Sequence, residues 1–311
     1  MPNSPHQPEA LLNRLEWTAI RRLDGLLQGD YRTLFRGFGV DLADLREYQA
    51  HDDARHIDWN VTARTSIPHV RVYNEDRDLT AWFLLDLSPS VDFGSGTISK
   101  RQVLTEFVAV VARLLTRRGN SVGAVLFDGV TDAIVEARTG RRHVLHLTER
   151  VMSNPRRLRA PKTDLAAFLR RAHSAIRRRS LIFVVSDFIS TPNWERALSL
   201  LARRHEVLVV RLTDPLDRAL PDIGLLTFED AESGEQLFLD TGDRRFRQRF
   251  HAAAEAAETA LLDAFGSAGV DVLELSTGDD LVDALIRFAE LRRSRSRLGN
   301  NPLPSHLAVQ S

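Results

Sequence analysis

The stretch Ala81-Trp82-Phe83-Leu84-Leu85-Asp86-Leu87-Ser88-Pro89-Ser90 decides how the rest of the chain reads. Five consecutive apolar residues without alternation are the pattern of a strand buried on both faces. That strand ends in a carboxylate followed by two hydroxyls. A second run, Leu181-Ile182-Phe183-Val184-Val185, ends in Ser186-Asp187. Between them, Pro161-Lys162-Thr163-Asp164 opens a helical pattern carried by Leu165, Phe168, Leu169, Ala172 and Ile176. In open α/β sheets, ligands bind beyond the carboxyl ends of strands, where the strand order reverses. Asp86, Ser88, Ser90, Thr163 and Asp187 can all reach such a crevice. They are oxygen donors only, a set that suits a hard octahedral cation, Mg²⁺ or Mn²⁺, better than zinc. Two carboxylates only just balance a divalent charge, which leaves a coordination position for water or for a carboxylate from outside.

Working outward, the domain 81–293 alternates strand and helix. Ser99 and Gln102 form a capping-box pattern ahead of a helix with the buried stripe Val103, Leu104, Phe107, Val108, Val111 and Leu115, closed by Gly119-Asn120. A strand follows at 121–127. Asp128-Gly129 reads as a two-residue hairpin turn, so 130–136 is expected to return antiparallel as a sheet edge. Helices are predicted near 141–151 and 164–178, a strand at 181–186, a helix at 193–203 and a strand at 206–212. A hairpin at 225–230 and 235–239, a helix at 243–268, a strand at 270–275 and a helix at 279–293 complete the domain. This order predicts an α/β fold with a doubly wound, mostly parallel sheet and helices on both faces.

The flanking segments differ. Residues 1–30 hold a short helix or two, with Leu11, Leu12, Leu15, Ile20, Leu23, Leu26 and Leu27 at near-helical spacing that requires a docking surface. Residues 31–80 are polar and charge-dense and read as a small β-rich layer against the main sheet. Its Arg46, Asp52, Asp53, Arg55, Asp58 and Arg64 alternate in sign, as in an ion-pair lattice that fixes irregular backbone. Residues 294–311 read as a disordered tail.

Composition narrows the function classes. The 311 residues are 43% hydrophobic, enough for a substantial core, and carry 42 basic and 42 acidic residues. Zero net charge gives no overall attraction to nucleic acid or to an anionic membrane. Lysine occurs only at positions 100 and 162, an arginine bias read as genome composition. Without cysteine, disulfides and thiolate metal sites are excluded. Met1 to Ala10 has no apolar signal core, and no apolar run approaches the ~20 residues that span a bilayer. A cytoplasmic location is the expectation.

The pattern Asp86-x-Ser88-x-Ser90 with the later Thr163 and Asp187 resembles the metal-ion-dependent adhesion site of von Willebrand factor A domains. Upstream, Arg46-Glu47-Tyr48, His51-Asp52-Asp53-Ala54-Arg55-His56-Ile57-Asp58-Trp59-Asn60, Ala63-Arg64 and Pro68-His69-Val70-Arg71 resemble a bacterial family of unknown function. That family carries such a domain and is commonly encoded beside MoxR-type AAA+ ATPases. The likeness runs from about Tyr31 to at least Asp187. It departs at His51, where Gly is expected, and at Val91, where Met is usual. It implies that the strands at 81 and 181 are neighbours, which spacing alone only permits, and that all five oxygen donors serve one Mg²⁺ (or Mn²⁺). It further implies a protein-binding module, not an enzyme, that partners a MoxR-type ATPase and a client protein in assembly or maturation.

Other chemistries fit less well. A metal-dependent phosphoester hydrolase would use the same carboxylates but lacks an evident general base. Phosphoryl transfer to Asp86 would want a second aspartate where Ser88 stands. A serine nucleophile would want a base and a Gly-x-Ser-x-Gly elbow. The pairs His51/His56 and His143/His146 show no third zinc ligand. The clusters Arg156-Arg157, Arg177-Arg178-Arg179 and Arg292 to Arg297 lack interleaved aromatics for nucleic acid. The last of these stays open as a partner contact.

Overall fold

The computed structural model describes residues 7–26, 42–49, 52, 57–73, 79–130, 132–157, 161–229 and 234–298. Its centre is a six-stranded sheet built from β3 (Thr80–Asp86), β4 (Ser121–Phe127), β5 (Asp132–Arg138), β6 (Leu181–Ser186), β7 (Glu206–Thr213) and β10 (Asp271–Ser276). The spatial order is β10-β7-β6-β3-β4-β5, with every pairing parallel except β4 with β5. The two site strands are thus neighbours in the middle, registered Phe83 to Phe183 and Leu85 to Val185.

Period-two alternation sorts each strand between two cores. Phe83, Leu85, Phe183 and Val185 face one side, where they meet α4 (Lys100–Thr116), α5 (Arg141–Met152) and α10 (Leu281–Leu298). Leu84, Ile182 and Val184 face the other, against α6 (Leu165–Ala175), α7 (Trp194–Arg204) and α9 (Arg244–Ala268). Phe83 and Phe183 stack at 4.9 Å between centroids, with Phe107 of α4 edge-on to both. Ser99 caps α4 in the expected capping box with Gln102. The loop after β3 therefore departs toward α4 on one face, and the loop after β6 toward α7 on the other. A crevice opens between diverging loops at such a switch point.

The amino-terminal helices α1 (Gln7–Leu15) and α2 (Arg21–Leu26), joined by a π turn, dock on the first core through Leu12, Leu15, Ile20 and Leu23. Glu16 meets Arg113 of α4 at 2.8 Å and Arg22 meets Asp283 of α10 at 2.9 Å. β1 (Leu42–Glu47) and β2 (His69–Tyr73) pair antiparallel in a sheet of their own. β8 (Leu225–Glu229) and β9 (Gln236–Asp240) form the inserted hairpin.

Several elements differ from expectation. The turn after β4 is longer than two residues: Phe127 pairs with Asp132, and the strand runs 132–138 instead of 130–136. A type I′ turn needs left-handed backbone at both central positions. Gly129 has it, at φ 90°, but Asp128 does not. Its carboxylate instead accepts from the Val130 N–H and meets Arg157. The segment 31–80 contains a helix, α3 (Trp59–Thr65), which Asp58 starts by accepting from the Val61 N–H at 3.2 Å. α10 continues through Leu298, so 294–298 is helical; the remainder of the expected tail lies outside the described residues. Tyr31, His51, Asp53, Arg55 and His56 lie outside them as well. No helix among the described residues is long and apolar enough to cross a membrane.

Candidate functional site

All five sequence-derived oxygen donors are buried: Asp86, Ser88, Ser90, Thr163 and Asp187. Asp86 ends β3. Its Oδ1 accepts from the Ser88 N–H at 3.0 Å, which folds the chain back over the strand end. Its Oδ2 accepts from the Ser186 hydroxyl at 2.7 Å, across the β3–β6 seam. The Ser88 and Ser90 hydroxyls lie 3.3 Å apart at the entrance to a short 3₁₀ turn, Pro89–Asp92. From α4, the Arg101 guanidinium donates to the Leu87 carbonyl at 2.9 Å and pairs with Asp92 at 2.5 Å, fixing this loop from behind.

Asp187 and Thr163 are joined by the loop that follows β6. The Thr163 carbonyl accepts from the Thr191 N–H at 2.9 Å and from the Ser190 hydroxyl at 2.8 Å. The Asp187 carboxylate accepts from the Ile189 N–H at 3.1 Å. Phe188 lies in the left-handed region at φ 61°, a conformation a bulky side chain adopts only when its surroundings impose it. It is held there by Trp194 and Phe265, whose rings lie 5.0 and 4.8 Å away, and by its N–H bond to the Ser186 hydroxyl. One serine thus orients Asp86 and braces the residue after Asp187.

The electrostatics of the two carboxylates differ. Burial, and then the charge of Asp187, push the Asp86 carboxyl up from 3.8 to about 6; its hydrogen bonds from Ser186 and Ser88 act in the opposite direction. Asp187, by contrast, has a cation beside it. The Lys100 ammonium, on a side chain 1% exposed, donates to Asp187 at 3.3 Å and pairs with Asp217 at 2.9 Å. Burial works against the Lys100 charge, but Asp187 and Asp217 outweigh it and hold the amine above its ordinary value. Asp217 belongs to α8 (Pro215–Arg218), a single turn after β7 that Asp214 caps. Asp214 also accepts from the Ser95 N–H and the Thr277 hydroxyl, stitching the loops after β3, β7 and β10 together.

The donor set fits a hard divalent cation in type and charge. Asp86, Ser88 and Ser90 lie at the end of β3 and Asp187 at the end of β6, all buried like Thr163, and Asp86 is a buried anion poorly compensated by its hydrogen bonds. Among the described residues no group of three His, Asp or Glu side chains gathers to hold a metal. Any cation here therefore depends on the hydroxyls. His143 sits 2.7 Å from the Val122 carbonyl as a core contact, while His51 and His56 lie outside the described residues.

A family model described as a protein of unknown function, DUF58, matches residues 44–260. The chain belongs to the DUF58 family. It is 36% identical over 291 residues to the uncharacterized protein Rv1480 of Mycobacterium tuberculosis, covering 94% of this chain and 92% of that protein. Among solved structures it is similar to an aerotolerance-related membrane protein from Bacteroides fragilis, at 12% identity and TM-score 0.46, over 70% of this chain and 99% of that one. It is also similar to the SpRpn10 VWA domain, at 12% identity and TM-score 0.36, over 67% of this chain and 93% of that one. The central sheet, parallel except where β5 joins β4, is the mostly parallel α/β arrangement that the sequence predicts.

In this DUF58 chain the sequence reading missed residues that brace these oxygen donors. Ser186, Lys100, Arg101 and Asp217 were not singled out as site residues. A signal for Lys100 existed: in a chain with two lysines against forty other basic residues, one lysine opens the helix right after the Asp-x-Ser-x-Ser loop. Asp217 had none, because its relation to the crevice passes through the fold alone.

Proposed function

We propose that this protein is a metal-dependent protein-binding module. In this reading Asp86, Ser88 and Ser90 hold Mg²⁺ or Mn²⁺, and Thr163 and Asp187 bind it directly or through water. The ion supplies a Lewis-acidic position for an incoming carboxylate. The chain's own residues do the rest. Ser186 and the Ser88 N–H orient Asp86, and Arg101 fixes the hydroxyl loop. The Thr163–Thr191 bond closes the far side. What supports the reading is that Asp86, Ser88 and Ser90 at the end of β3 and Asp187 at the end of the neighbouring β6 are all buried oxygen donors, with buried Thr163 tied to the loop after β6. As a partner, the family resemblance supports a MoxR-type AAA+ ATPase, with an Asp or Glu of the ATPase or of a client protein completing the coordination.

The test is capture of the MoxR-type ATPase by the full chain, with magnesium and with chelator, for wild type and for Asp86→Ala. Capture is expected only for wild type with magnesium. Equal capture in all four samples refutes the reading.

A further inference from the structure

The Lys100 side chain is a feature that an oxygen-lined cation site does not call for. An ammonium with 1% exposure is costly unless paired, and Asp217 at the rim, 2.9 Å away and 30% exposed, already pairs it. Its second contact reaches inward, to Asp187 at 3.3 Å. The amine has little freedom to leave. Lys100 is the first residue of α4, its N–H is tied to the Phe93 carbonyl at 2.9 Å, and Ser99 caps the helix directly before it. Asp187 Oδ1 is engaged by the Ile189 N–H and Oδ2 by Lys100, so the ammonium neutralises one of the two carboxylates from within.

We propose that Lys100 is an internal competitor for Asp187 that sets the metal affinity of this site and makes tight metal binding conditional on an outside carboxylate. The proposal rests on the metal reading given above and adds its regulation. With Lys100 in place, a divalent cation meets one carboxylate held only by neutral donors, Asp86, and one already shared with a fixed positive charge. The ion is then under-neutralised until a partner's carboxylate arrives, so metal and partner bind cooperatively. Asp217 tunes the competition. It draws the ammonium toward α8 and away from Asp187, and its loss would leave Lys100 to Asp187 alone.

The experiment titrates Mn²⁺ into the full-length protein, following loss of the free-ion electron paramagnetic resonance signal, with circular dichroism to verify folding. Lys100→Met is expected to bind Mn²⁺ about tenfold more tightly than wild type, since a buried like charge beside the ion is removed. Asp217→Asn is expected to shift affinity the opposite way, about threefold weaker. Equal affinity in all three proteins overturns the role of Lys100 while leaving the metal site standing. Should Lys100→Met fail to fold, Asp217→Asn decides alone: weaker binding supports the proposal, equal or tighter binding overturns it. No Mn²⁺ uptake by any folded protein at millimolar ion overturns the metal reading itself, and the proposal with it.

Discussion

Replacing Asp86 by asparagine is expected to make the metal-free protein more stable. The carboxyl is fully buried and pushed from 3.8 to about 6, first by burial and then by Asp187. A shift of that size corresponds to about 3 kcal/mol of cost for holding the charge at neutral pH. The folded value lies above the unfolded one. The stabilising contribution of the protonated form is therefore complete below 3.8 and is lost as the pH rises through about 6. Asparagine keeps the shape without the charge. Its amide cannot accept from both the Ser88 N–H and the Ser186 hydroxyl, and rearranging one such bond costs about 1–2 kcal/mol. The net gain near neutral pH is about 1–2 kcal/mol. Urea unfolding in chelator, followed through Trp82 and Trp194 fluorescence, measures it. The difference between variant and wild type should shrink as the pH is lowered through the window between about 6 and 3.8. Added Mg²⁺ should stabilise wild type and leave Asp86→Asn unchanged. A variant no more stable than wild type at neutral pH, or a difference independent of pH, refutes the view that Asp86 is an uncompensated buried charge.

Arg101→Met removes the guanidinium behind the Ser88–Ser90 loop without touching a proposed ligand; if the proposed site holds Mn²⁺, its affinity by calorimetry should fall about tenfold, as when a residue supporting a metal ligand is lost. Gly94→Ala would place a Cβ 2.4 Å from the Ile98 carbonyl oxygen and 2.7 Å from Ser99 Cα, both backbone. It should cost about 1–3 kcal/mol in denaturant unfolding. His205 is buried with neither ring nitrogen partnered, and burial, Arg204 and His173 push it down from 6.5 to about 4. Its folded value lies below its unfolded one, so stability is complete above 6.5 and drains away as the pH falls toward about 4. His205→Leu should flatten the stability profile across that interval, measured by thermal unfolding at a series of pH values.

The one-dimensional pattern sufficed for much of this protein because its strands are buried on both faces. Uninterrupted apolar runs such as 81–85 and 181–185 have no other stable use in a chain with helices between them, and Ser99 with Gln102 states a helix start in local chemistry. Asp86, Ser88, Ser90 and Asp187 end or follow such strands and Thr163 precedes α6, which is why the sequence could nominate them. The Asp128-Gly129 turn misled because Asp128 answers to Arg157, 29 positions away, and not to its own dipeptide. That the β3 and β6 ends adjoin, that Ser186 reaches across the seam to Asp86, and that Lys100 lies between Asp187 and Asp217 became facts only when the chain folded. Local propensity acts over a few residues, whereas the charge balance of a buried crevice is set by whichever groups the topology brings within a few ångströms.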